Sequence, residues 1–146
     1  MARDTDLHTP WRIEFFQRHV ANDPSRAVPA RAFLDTCPVG ARADMLAVIT
    51  AVAEAPPPRF AGGGKWEAMH GTMKGFYENR VTGPQRRQYR LFCMLEREGM
   101  RPPGPAVVAI TGMSKPIGRV FSARDYGRVR RLGEEFKGPV PRSVAR

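Results

Sequence analysis

KWEAMHGTMKGFYENRVTGPQRRQYRLFCMLEREGMRPPGPAVVAITGMSKP, residues 65–116, reads as four short strands in succession. Trp66 to His70 and Phe76 to Thr82 are separated by a turn at Gly71–Gly75. Gly83-Pro84-Gln85-Arg86-Arg87 has the composition of a hairpin loop, after which Gln88 to Leu95 returns antiparallel. A Pro- and Gly-rich turn from Gly99 to Pro105 leads into Ala106–Met113, a nearly unbroken apolar run that predicts a central strand. Strand side chains alternate between faces, so residues of like parity lie together. Glu78 and Arg80 therefore share a face, as do Gln88 and Arg90, with Leu91, Cys93 and Leu95 on the other. If the hairpin pairs in register, Arg80 and Arg90 are near neighbours pointing the same way. Like charges across strands are unfavourable by up to roughly 1 kcal/mol. Such a pair needs an anion or a counter-charge, and Glu78 is the nearest candidate for the second.

Outward from this stretch, Trp11-Arg12-Ile13-Glu14-Phe15-Phe16 alternates apolar and charged and predicts a first strand. Asn22-Asp23-Pro24-Ser25 is turn chemistry. Val28–Thr36 and Ala41–Glu54 predict two helices broken by Cys37-Pro38-Val39-Gly40. In the second, Met45, Leu46, Val48, Ile49 and Val52 form an apolar stripe. The pair reads as an αα-hairpin covering one face of the sheet. Ala55-Pro56-Pro57-Pro58 stops it and Gly62-Gly63-Gly64 loosens the loop that follows. Ser122 is a candidate N-cap for a last helix over Ala123–Phe136, and residues 137–146 read as a flexible tail. The expectation is a single α+β domain over residues 1–146, with its core at about 11–136. It is a small antiparallel, mixed-edge sheet with an N-terminal αα-hairpin on one face and a C-terminal helix.

Charge is distributed unevenly. The net charge is +10, yet residues 1–58 carry six Arg against seven acidic residues, and residues 59–146 carry eighteen Lys/Arg against seven. The basic excess lies in the sheet half. A cationic sheet face attracts phosphate backbones over about 8 Å at physiological salt, which points to RNA. No apolar leader opens the chain and no window reaches the roughly 18 apolar residues of a spanning helix. Cys37 and Cys93 have no metal-ligand spacing. A cytoplasmic, reduced protein with no cofactor, no metal and no membrane partner is expected.

Chemistry-bearing residues are few. Lys115, in Gly112-Met113-Ser114-Lys115-Pro116, follows the apolar strand, where a side chain reaches a groove edge. Tyr126 in the last helix can pack on the sheet, stack on a base or handle a proton. His70 is the one histidine of the sheet region, with His8 and His19 in the first segment. No phosphate-loop, zinc-protease or Ser/His/Asp pattern is present. Phosphodiester cleavage by an RNA's own 2′-hydroxyl remains open to such a set, because positioning and charge stabilisation carry it.

The progression W-E-x-x-x-G (from Trp66), F-Y-E-x-R-V (from Phe76), Y-R-L-F (from Tyr89) and G-x-x-K (from Gly112), after an αα-hairpin, resembles the RelE/ParE superfamily of toxins from toxin–antitoxin systems. It is most similar to the phage-derived HigB-like branch, over residues 11 to 136. The resemblance implies a RelE-like sheet and a ribosome-dependent mRNA endoribonuclease that inhibits translation and leaves a 2′,3′-cyclic phosphate. Its partners would be mRNA, the ribosome and a cognate antitoxin protein. Arg80, Arg90 and Lys115 match the family's phosphate-binding and charge-stabilising positions, and Tyr126 its C-terminal aromatic. Proton transfer is left open among Tyr126, Glu78 and His70. Related ParE proteins poison DNA gyrase without nuclease chemistry, so a non-catalytic gyrase poison or basic nucleic-acid-binding module is the alternative.

Overall fold

The computed structural model describes residues 10–55, 64–97, 104–138 and 144–145. The expected Pro56–Pro58 stop, most of the Gly62–Gly64 loop, most of the Gly99–Pro105 turn and His8 lie outside them. The elements run β1 (Arg12–Phe16), α1 (Pro29–Thr36), α2 (Val39–Glu54), β2 (Trp66–Ala68), β3 (Phe76–Gly83), β4 (Arg87–Glu96), β5 (Ala106–Pro116), α3 (Ala123–Lys137) and β6 (Val144–Ala145). They form an α+β structure around one mixed sheet of order β2-β3-β4-β5-β1-β6.

β5 is central because its first half cannot face water. Residues Ala106 to Ile110 are fully buried, and the strand pairs antiparallel with β4 and parallel with β1. The αα pair packs Ala30, Leu34, Met45, Val48, Ile49 and Val52 against Val81, Leu91, Cys93, Val107 and Ala109 on one face. On the other face, Val129 and Phe136 of α3 pack against Phe16, Phe76, Phe92, Val108 and Ile110. Helices thus cover both sides, and the end of the sheet not covered by α3's apolar stripe is left for the cations.

Several expectations shift. The β3–β4 connection is only the Pro84–Arg86 turn, where Gln85 and Arg86 take left-handed backbone angles. β2 ends at Ala68 because Gly71–Met73 forms a tight helical turn. Leu46 lies outside the α2 stripe and is 37% exposed. It sits about 100° around the helix from the buried Met45. β5 continues to Pro116, so Lys115 lies within a strand and not after one. In the tail, Val144 and Ala145 pair antiparallel with Phe16 and Phe15, which the expected flexible tail of 137–146 did not include. The alternation of β1 does not mean a solvated face, since Glu14 is fully buried, with Arg12 Nε 3.1 Å from its carboxylate. α3 makes its sequence signature good. Ser122 accepts from the Asp125 amide, Asp125 accepts from the Ser122 amide, and the capping box is complete.

One glycine fixes the spacing between a helix and the sheet. The Phe33 ring of α1 lies against Gly112 of β5, where a Cβ would stand 2.1 Å from the ring. The ring occupies the space a side chain would take, so α1 seats flat on the strand.

Candidate functional site

Register places the arginines. β3 and β4 pair with Arg80 directly opposite Arg90, so both project from the same face, the one that carries α3. β4 and β5 then set Gln88 opposite Lys115 and Arg90 opposite Met113. Lys115 joins the same face, diagonal to Arg90, with about 7–8 Å between their strand positions. Three cations from three strands therefore share one side of the sheet.

Carboxylates hold them apart. Glu78 lies between the two arginines, with 3.7 Å to Arg80 Nε and 3.4 Å to Arg90 Nε. Burial pushes the Glu78 carboxyl above its ordinary range, against the pull of Arg90 and Arg80. Burial likewise lowers the Arg90 guanidinium, and Arg80 lowers it further, against the attraction of Glu78. Both shifts run against the charged pair, so loss of water outweighs the mutual attraction. Arg90 is also oriented by Gln88, whose Oε1 accepts from Arg90 Nη2 at 2.6 Å. The Gln88 amide is fixed in turn by donation to the Arg119 carbonyl at 2.7 Å.

The outer cation is less enclosed. Arg80 Nη1 contacts the carboxylate of Glu67 on β2, and both side chains reach solvent. A cleft of about 340 Å³ opens at this edge, with Lys65, Arg80 and Arg90 supplying cations and Asp44 an acid. That volume is at the small end for ligand pockets.

The helix end completes the arrangement. Lys115 Nζ is 3.0 Å from Asp125 Oδ2 and 5.6 Å from the centre of the Phe121 ring. The Ser122 amide and the Lys115 ammonium hold the Asp125 carboxyl down at about 2. Tyr126 packs edge-on against Phe92 at 6.1 Å and Phe121 at 6.0 Å. Burial raises its phenol, the Glu78 charge raises it further, and Arg90 pulls it down. The packing reading of Tyr126 holds for its ring. Its ring is core, and its phenol lies within electrostatic reach of the Glu78–Arg90 pair.

No match to this chain is found among protein-family models, curated proteins or solved structures.

Five of the six expected site residues, Glu78, Arg80, Arg90, Lys115 and Tyr126, share the α3 face. His70 does not join them. It is exposed at the start of the Gly71–Met73 turn and lines a separate groove with Met69, Lys74 and Tyr77. The Arg80 amide donates to the Lys65 carbonyl just before β2, whereas His70 lies beyond the other end of that strand. Sequence reading missed Glu67, Gln88 and Asp125 as the groups that hold the cations. Only Asp125 had a local signal, the Ser-x-x-Asp capping pattern. Glu67 acts across strands and has none, and Gln88 had only the face it shares with Arg90 two residues along β4.

Glu78 makes a prediction of defined sign. Its folded pKa lies above the ordinary 4.5, so the folded chain retains a proton that the unfolded chain has already lost. The stability from this group is full below about 4.5 and is lost as pH rises through the folded value. Denaturant titrations of wild type and Glu78→Gln should show wild type losing stability relative to the variant across that window. A constant difference from pH 4 to 7 would remove the assignment.

Proposed function

We propose that this chain is a RelE/HigB-like toxin, an endoribonuclease that cleaves mRNA at the ribosome. The observation that supports this reading is the direct pairing of Arg80 and Arg90 across β3 and β4, beside a desolvated carboxylate and a phenol. A like-charged pair on a sheet face is unfavourable for the fold alone. It suits a group whose negative charge grows during reaction.

In the proposed reaction, the 2′-oxygen of a ribose attacks the adjacent phosphorus and the P–O5′ bond breaks. The products are a 2′,3′-cyclic phosphate and a 5′-hydroxyl. Glu78, held above the ordinary carboxylate range by burial, takes the 2′-hydroxyl proton. The leaving 5′-oxygen gains a proton from Tyr126, whose phenol burial keeps protonated. Arg90 and Arg80 stabilise the charge that builds on the non-bridging oxygens. Lys115 holds a flanking phosphate once it parts from Asp125. His70 is left out of the proton path by its position. The antitoxin would be a protein that covers this face.

Induced expression tests the proposal. Growth should halt, and message fragments should end in 2′,3′-cyclic phosphates within minutes. Replication arrest with intact messages would replace this reading with the gyrase-poison one. The ion pairs that engage all three cations in the free protein favour a second reading, a non-catalytic nucleic-acid-binding module. Tight RNA binding without fragment formation on purified ribosomes would be its result.

A further inference from the structure

The site is nearly self-neutral. Arg80, Arg90 and Lys115 are met by Glu67, Glu78 and Asp125. The fold accounts for two of these acids. Glu78 separates the two arginines, and Asp125 caps α3. Glu67 has no such part. Its side chain is 56% exposed on a three-residue edge strand, and its direct cross-strand partner is another acid, Glu78. A like-charged pair there weakens the strand pairing. What Glu67 gains in return is its contact with Arg80 Nη1, on the rim of the cleft that Arg80, Lys65 and Arg90 line.

We infer that Glu67 is an internal competitor for the anion site, one that sets the affinity an incoming anion must exceed. Its carboxylate holds the guanidinium edge that a backbone phosphate of single-stranded RNA would take. An incoming strand must displace it. A lone phosphate offers one contact in exchange, whereas a strand also engages Arg90 and Lys65 and releases bound counterions. Glu67 thus sets a threshold that a strand with several contacts exceeds more readily than a lone phosphate does. The inference rests on reading Arg80 and Arg90 as a phosphate site. It adds that the resting protein holds that site closed with its own side chain.

The difference is measurable because an exposed ion pair is weak. Fluorescence anisotropy with a labelled short single-stranded RNA at low salt should show Glu67→Gln binding about 2- to 5-fold tighter than wild type. Binding of inorganic phosphate should rise by a similar factor, because either ligand displaces the same carboxylate from Arg80. Glu54→Gln, an exposed acid on the far helix, makes the same change in net charge and should leave affinity near wild type. In an Arg80→Ala background, Glu67→Gln should have no further effect. Equal tightening by both Gln variants, or persistent tightening without Arg80, would overturn the inference. If Arg80→Ala weakens RNA binding but Glu67→Gln changes nothing, the competitor role fails and the site stands. If Arg80→Ala and Arg90→Ala both bind RNA as wild type does, the phosphate-site reading itself fails.

Discussion

On the proposed endoribonuclease reading, replacing Arg90 with Ala should lower cleavage of a ribosome-bound message by about two to three orders of magnitude, the usual cost of removing one preorganised charge stabiliser. Arg90 is chosen over Arg80 because its environment is built. Its side chain is 14% exposed against 36% for Arg80, Gln88 orients it, and Glu78 lies 3.4 Å away. A guanidinium that is already desolvated and aimed stabilises charge more than one that moves in water. Arg90→Lys should recover little, since an ammonium cannot reproduce the planar fork. The truncation also leaves Glu78 buried with less compensation, so thermal melts must accompany the single-turnover rates. A folded Arg90→Ala protein cleaving at the wild-type rate would dismiss Arg90 from the site.

Phe92→Ala should cost roughly 3–5 kcal/mol, the usual effect of truncating a fully buried aromatic ring. Phe92 is fully buried on the α3 side of β4, and its ring supports Tyr126 edge-on at 6.1 Å. The cavity would open beneath the residue whose phenol approaches Glu78 and Arg90. For a chain of this length that loss corresponds to a fall in Tm of roughly 10 °C or more. Phe92→Leu should restore most of the stability but less of the activity, because Tyr126 loses its edge contact. Unchanged Tm in both variants would mean that α3 does not seat on this part of the sheet.

Strand parity was legible because it is a local property. Alternation in FYENRVTG and QRRQYRLFCMLE assigns Glu78, Arg80, Gln88 and Arg90 to one face and Leu91 and Cys93 to the other, as the structure has them. The Ser122 cap and the Met45–Val52 stripe were legible for the same reason, since each depends on spacing within a single turn or helix. Leu46 was misassigned because an apolar residue next to a stripe looks like part of it until a neighbour is packed there. The apolar run ends at Met113, which sets Lys115 beyond the strand on sequence alone, whereas β5 continues through polar residues to Pro116, with Gly112 admitting the Phe33 ring.

The charge network was not legible. Glu67 meets Arg80 across thirteen residues of sequence, and Gln88 reaches the Arg119 carbonyl across thirty-one. Such contacts follow from register and helix seating, which no local pattern encodes. His70 falls outside the site for the same cause, because β2 ends at Ala68 and the chain passes into the Gly71–Met73 turn.

From its order of residues alone, this protein had already determined its longer strands and helices, the faces taken along β3 and β4, and the confinement of positive charge to its second half. Those follow from periods of two and 3.6 residues and from composition, which act over a few neighbours. Folding in three dimensions decided which acids answer which cations, and that Arg90 is enclosed while Arg80 is held at the rim by Glu67. Burial and partner choice depend on chain segments brought together from far apart, and burial is what moves Glu78, Arg90 and Tyr126 away from their ordinary proton affinities.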